Sequence, residues 1–175
     1  KVPPFYLMTS PTTHDTTKTF FESNRYFGLN SYDVIFFQQG TAPTVDRSGK
    51  ALLAAPGIPL ENPDGHGGLF EALNRQQILA DAKKRGINTF FYFQVDNPLV
   101  KIADPVFLGL HREKKSVYSL KIIRKKKSDE KLGVLCQRGE RLEMVEYSEL
   151  PEKLRGERNA DGSLRFDAGS IAIHI

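Results

Sequence analysis

A three-layer α/β domain with a mixed sheet is the fold class that this sequence predicts. Short apolar runs alternate with helix-like stretches along the first part of the chain, and strand-like runs dominate after Glu113. The 39% hydrophobic content of 175 residues is enough for one buried core and short for two, so a single domain over residues 1–175 is expected.

The elements follow in order. Pro4–Ser10 is apolar and closes on hydroxyl residues, the profile of a buried strand feeding a loop. A helix is expected over Asp15–Ser23, with Asp15 placing negative charge in its first turn. Val34–Phe37 is a second buried strand and delivers Gln38-Gln39-Gly40 to the loop at its end. Asp46–Gly49 marks a hairpin turn, with Lys50–Ala54 returning. The turn-rich segment Asn62–Gly68 opens a helix at Leu69, and a further helix over Gln76–Arg85 stops at Gly86. Thr89–Val95 reads as an aromatic strand running into Asp96-Asn97. Asp104-Pro105 has the pattern of an N-cap with proline at the first helical position, so Val106–Glu113 is helical. Strands follow at Ser116–Ile123, Leu132–Gln137 and Glu143–Tyr147, and the final run Ile171–Ile175 looks like an element cut short.

Lys and Arg outnumber Asp and Glu by 25 to 21, an excess that suits a small polyanionic substrate and falls short of a dedicated nucleic-acid binder. The basic stretch Arg112–Lys127 is the one hint of nucleic acid, and its tail reads as a solvated hairpin tip. A single cysteine, Cys136, cannot form an internal disulfide and suits a reducing, cytoplasmic setting, with a buried filler role for the thiol. No apolar run is long enough for a membrane span, and the start Lys1-Val2-Pro3-Pro4 lacks a signal-peptide layout. The absence of an initiator Met and the apolar end suggest a piece of a longer chain. Neither a metal-spaced His or Cys cluster nor a nucleophile-elbow glycine pattern occurs, which argues against zinc and hydrolase chemistry.

In an open α/β sheet ligands sit beyond the carboxyl ends of strands, which singles out Thr9-Ser10, Gln38-Gln39, Asp96-Asn97 and Glu146-Tyr147-Ser148. The glycines of Pro63–Gly68 allow backbone N–H groups to approach a phosphate or a base, but the spacing matches neither common phosphate-loop pattern, and a plain turn is the competing reading. Asp96 ends an apolar run, where a carboxylate holding Mg²⁺ on substrate phosphates competes with a simple cap of the turn into Pro98. His66 has a competing reading as a loop residue bonded to backbone.

Taken in order, Tyr6-Leu7-Met8-Thr9-Ser10, Tyr26-Phe27-Gly28-Leu29, Phe36-Phe37-Gln38-Gln39-Gly40, Pro63-Asp64-Gly65-His66-Gly67-Gly68-Leu69, Val95-Asp96-Asn97-Pro98-Leu99-Val100-Lys101, Ala103-Asp104-Pro105, Gly133-Val134 and Val145-Glu146-Tyr147-Ser148-Glu149 resemble the UDP-N-acetylglucosamine pyrophosphorylase family, within the wider UDP-sugar pyrophosphorylases. The resemblance covers nearly the whole chain. It implies a nucleotide-diphospho-sugar transferase fold with a mixed, mostly parallel sheet, Mg²⁺ dependence, and the reversible reaction of UTP with a sugar 1-phosphate to give UDP-sugar and pyrophosphate. By position it implies that Gln39 and the Gly65 backbone contact uracil and that His66 lies beside the nucleoside. Asp96 would hold the metal, and Gly133 and Glu146 would contact the sugar.

Two departures bear on the sugar. The family usually carries Asn-Ala-Gly-Asn where this chain has Asp167-Ala168-Gly169-Ser170, so a hydroxyl at Ser170 stands in for a sugar-contacting amide. His66 replaces an asparagine and is similar to the Gly-His-Gly of UDP-glucose pyrophosphorylases. The expected product is a UDP-N-acetylhexosamine, with a UDP-glucose or UDP-galactose type, or a noncatalytic UDP-sugar binding fragment, as alternatives. The family's Gly-Gly-x-Gly-Thr-Arg loop would lie upstream of Lys1, and a further catalytic lysine downstream of Ile175.

Overall fold

The computed structural model describes residues 2–175, and the chain divides into two compact units, Lys1–Asn88 and Thr89–Ile175. Lys1 lies outside the described residues.

In the first unit, β1 (Phe5–Thr9) pairs in parallel with β2 (Val34–Gln38), Phe5 opposite Val34 and Thr9 opposite Gln38. A parallel pair needs a crossover of a dozen or more residues, which the intervening segment supplies with α1 (His14–Ser23). Phe21 of that helix meets Phe36 of β2 edge-on at 5.3 Å. Beyond β2 the chain runs out and back as an extended arm: β3 (Thr41–Pro43), β4 (Leu53–Ala55), β5 (Ile58–Pro59) and β6 (Glu61–Pro63), with β3 antiparallel to β6 and β4 to β5. The expected turn forms at its bend, where Asp46 Oδ1 accepts from the Ser48 and Lys50 N–H groups and Gly49 takes a left-handed φ of +85°. A single 3-10 turn, Gly65–Gly68, leads into α2 (Leu69–Arg75), followed by α3 (Ile78–Lys84). Phe37, Ala72, Leu73 and Ile78 form the core, with Tyr6, Met8, Ile35 and Leu69 against it. Gly86, at φ +75°, ends α3 as its sequence position suggests.

In the second unit α4 (Pro105–Glu113) begins as expected, with Asp104 Oδ1 accepting from the Val106 N–H at 3.2 Å. Three strands, β7 (Leu120–Arg124), β8 (Val134–Arg138) and β9 (Arg141–Val145), are followed by the short helix α5 (Glu152–Arg155) and by β10 (Ala168–His174). The sheet order is β7-β10-β8-β9 and the pairings are antiparallel. Val134, Leu150, Leu164 and Ile173 are buried in this unit.

The mixed α/β class holds, but the sheets of the described residues are small and mostly antiparallel where a mostly parallel sheet is expected. β1–β2 is their one parallel pair, and the sheets have two or four strands. The tight links after β4 and β8 leave room only for antiparallel hairpins. A second correction concerns Thr89–Val95. Among the described residues this aromatic run forms an isolated bridge, Tyr92 with His174, instead of a ladder. Conversely, the terminal apolar run is the last part of β10, an inner strand of the larger sheet.

Candidate functional site

In the first unit, the polar groups after β1 and β2 behave differently. Thr9 and Ser10 are buried and engaged internally: the Thr9 hydroxyl donates to the Phe37 carbonyl and meets His14 Nδ1, while Ser10 Oγ meets the hydroxyls of Thr12 and Thr13. They hold the start of α1. Gln38 is clamped in both directions by Gln76, whose amide nitrogen donates to the Gln38 carbonyl at 2.6 Å and whose oxygen accepts from the Gln38 N–H at 3.2 Å.

Gln39 is fixed by its backbone, which donates to the Thr9 carbonyl at 2.8 Å, but its side-chain Oε1 is buried and meets no donor among the described residues. The β3–β6 register, Thr41 opposite Pro63, places Gly40 opposite Asp64 and Gln39 opposite Gly65 when carried two positions outward. A 3.0 Å bond from the Asp64 N–H to the Gly40 carbonyl agrees. Gly65 has φ +66°, a left-handed conformation for which glycine is suited, and nothing lies within 4 Å of where a Cβ would stand there or at Gly67. His66 follows on the exposed side of the loop. Gln39 and the open Gly65 backbone thus lie opposite each other just beyond the β3–β6 ladder.

Asp64 was not among the residues expected to matter, because Pro-Asp-Gly is ordinary turn chemistry. Its carboxylate packs against the turn where α2 begins, with Oδ2 2.2 Å from the position a Cβ would take at Gly68, and its Oδ1 is buried without a partner among the described residues. An anion of the chain's own therefore occupies the start of α2. Arg75 Nη2 lies 3.5 Å from where a Cβ would stand at Gly40, so a carboxylate and a guanidinium share this end of the loop.

In the second unit, three of the expected residues meet. Val134 pairs with Val145 and Gly169, so the next position outward aligns Ser170, Gly133 and Glu146 in one cross-strand row. The Ser170 N–H donates to the Gly133 carbonyl at 2.8 Å. Gly133 leaves a notch in that row, since a Cβ there would stand 3.3 Å from Met144 Sδ and 3.4 Å from Glu146 Oε1. The exposed Glu146 also starts a turn, its carbonyl accepting from the N–H groups of Glu149 and Leu150. Ser170 Oγ accepts from the Ala172 N–H at 3.2 Å. Met144 is a notch residue that sequence reading missed, since an apolar residue in a strand carries no chemical signal.

Asp96 lies exposed in the turn after the Tyr92 bridge. The capping role that competes for it falls to its neighbour: Asn97 Oδ1 accepts from the Leu99 N–H, and the Asp96 carboxylate has no hydrogen bond or ion pair among the described residues. Burial pushes the Tyr92 phenol upward, and the Asp96 charge adds to that. The described residues contain no cluster of three or more His, Cys, Asp or Glu.

The basic stretch is neutralised in part, and Arg112, Lys115, Lys126 and Lys127 are exposed. Lys121 Nζ lies 2.7 Å from Asp104, Arg124 pairs with Asp167 at 2.7 Å, and Lys125 is buried. No helix among the described residues is long and apolar enough to cross a membrane.

A parallel strand pair ending in polar residues in the first unit and a notched antiparallel sheet in the second define the class, a mixed α/β protein, in which ligands commonly sit at strand ends. More particularly, the chain belongs to the UTP–glucose-1-phosphate uridylyltransferase family, whose model matches residues 1–175. It is 40% identical over 174 residues to UDP-N-acetylglucosamine diphosphorylase 2 of Arabidopsis thaliana, covering 98% of this chain and 35% of that protein. It is 41% identical over 172 residues to UDP-N-acetylhexosamine pyrophosphorylase-like protein 1 of Xenopus tropicalis, covering 98% of this chain and 34% of that one. Among solved structures, a Trypanosoma brucei UDP-N-acetylglucosamine pyrophosphorylase in complex with an inhibitor superposes with TM-score 0.80 at 32% identity, over 97% of this chain and 34% of that chain. The chain thus spans about a third of the length of these relatives.

Proposed function

We propose that this chain is part of the catalytic core of a cytoplasmic uridylyltransferase that joins UTP to a sugar 1-phosphate, giving a UDP-N-acetylhexosamine and pyrophosphate. The observation that carries the proposal is the row Ser170–Gly133–Glu146, where a glycine notch is flanked by a hydroxyl and a carboxylate. A sugar presents hydroxyls that such groups bind in pairs, and its ring needs the room a missing side chain leaves. Family membership supplies the reaction. The two units also fit, on this reading, as parts of the three-layer nucleotidyltransferase fold that the resemblance implies.

A sugar-phosphate oxygen forms a bond to the α-phosphorus of UTP while the bond to pyrophosphate breaks, so positioning dominates over acid–base work. Gln39 and the Gly65 backbone would take the uracil edge, His66 would lie beside the nucleoside, and Glu146, Gly133 and Ser170 would orient the sugar. Asp96 fits Mg²⁺: its carboxylate is exposed and unengaged, and that ion prefers one or two carboxylates with substrate phosphates over an all-protein cage. The ion would neutralise charge on the phosphates.

The test pairs a pyrophosphate-release assay with calorimetry on the full-length protein. Release from UTP and an N-acetylhexosamine 1-phosphate supports the reading. Binding of UDP-sugar without release would favour a noncatalytic module, and preference for glucose 1-phosphate would favour the UDP-glucose type, to which the Ser170 hydroxyl lends some support.

A further inference from the structure

Neither Gly40 nor Gly68 adopts the left-handed backbone that calls for glycine, yet the atoms nearest to a Cβ at either would be those of Asp64, with Arg75 Nη2 next at Gly40. A Cβ at Gly40 would stand 2.5 Å from Asp64 Oδ2. A Cβ at Gly68 would stand 2.2, 2.3 and 2.4 Å from Oδ2, Cγ and Oδ1 of the same carboxylate. At Gly68 the whole carboxylate occupies the space and at Gly40 one of its oxygens does, so a side chain at either position would have to turn the Asp64 carboxylate away. The Asp64 N–H bonds the Gly40 carbonyl at 3.0 Å, so backbone and side chain of one residue join the loop after β2 to the loop before α2. Those loops carry Gln39 and Gly65.

We propose that Asp64 is a positioning residue: its carboxylate, seated against Gly40 and Gly68, sets the spacing between Gln39 and the Gly65 backbone at which a uridine base is held. The carboxylate acts as a wedge, and the two glycines are required because the wedge is there. The buried Oδ1, without a donor among the described residues, agrees with a carboxylate seated for its shape rather than its bonds. This inference rests on the nucleotide-binding reading given above.

The wedge predicts a coupling. In the full-length protein, Asp64→Ala and Gly68→Ala each remove the seated carboxylate, the second by evicting it. Each should raise KM for UTP about ten-fold while KM for the sugar 1-phosphate stays within about two-fold. The double variant should be no worse than either single, since both changes abolish one contact. Asp64→Asn keeps the shape and should stay within about three-fold of the parent, which guards against a variant that merely misfolds. Effects that multiply to about a hundred-fold in the double variant, or equal rises in KM for both substrates, would overturn the wedge. A parent protein that neither binds UDP by calorimetry nor releases pyrophosphate would instead overturn the nucleotide-binding reading.

Discussion

Asp96 and Gly133 are the residues whose local geometry makes the sharpest demands. With Asn97 capping the turn, the Asp96 carboxylate has no structural duty among the described residues. Asp96→Ala should therefore leave the thermal midpoint within about 2 °C of the parent while reducing kcat at least about a hundred-fold in a pyrophosphate-release assay. Full activity in that variant would remove the metal role. Gly133→Ala puts a methyl 3.4 Å from Glu146 Oε1 and 3.3 Å from Met144 Sδ, tighter than ordinary contact. It should raise KM for the sugar 1-phosphate and spare KM for UTP, and Glu146→Ala should share that asymmetry. Steady-state kinetics with each substrate varied in turn checks both.

Elements are held by ties that sequence patterning conceals. Tyr6 of β1 donates to Asp81 of α3 at 2.6 Å, and Arg85 reaches both Asp81 and Asp33. The Tyr6 hydroxyl holds the Asp81 carboxyl below its ordinary range against the opposing effect of burial, and the Arg85 guanidinium adds to the lowering. A carboxyl that titrates lower in the folded chain than in the unfolded one contributes stability above the unfolded pKa and loses it as pH falls through the folded value. The stability gap between the parent and Tyr6→Phe should thus be constant near neutrality and narrow below about pH 4, as urea unfolding at stepped pH would record. In the larger sheet Val134 is fully buried where β8 lies between β10 and β9, so Val134→Ala should cost about 2 kcal/mol by the same measurement.

At the scale of the whole molecule, charge separates two partner classes. The net charge of +4 is modest, with 21 Asp and Glu set against 25 Lys and Arg, and within the most basic stretch Lys121 and Arg124 pair with Asp104 and Asp167 while Lys125 is buried. Nonspecific nucleic-acid binding needs several free cations releasing counterions together. The protein should accordingly show no retention on single- or double-stranded nucleic acid at physiological salt, and retention with a steep salt dependence would revive that class.

Sequence by itself determined the α/β class, α1, α4, β1, β2, the turn at Asp46 and the glycine stop at Gly86, because each is set by neighbours within a turn or two. Ordered motifs also carried the family. Tertiary structure alone decided the antiparallel make-up of most pairings, the inner place of β10, the reduction of Thr89–Val95 to one bridge, and the division into two units. It also decided that Ser170, Gly133 and Glu146 share a row and that Asp64 fills the space left by two glycines. The physical reason is one of range: helix caps and tight turns are satisfied by residues a few positions away, whereas strand partners and steric fit depend on groups that only the folded chain brings together.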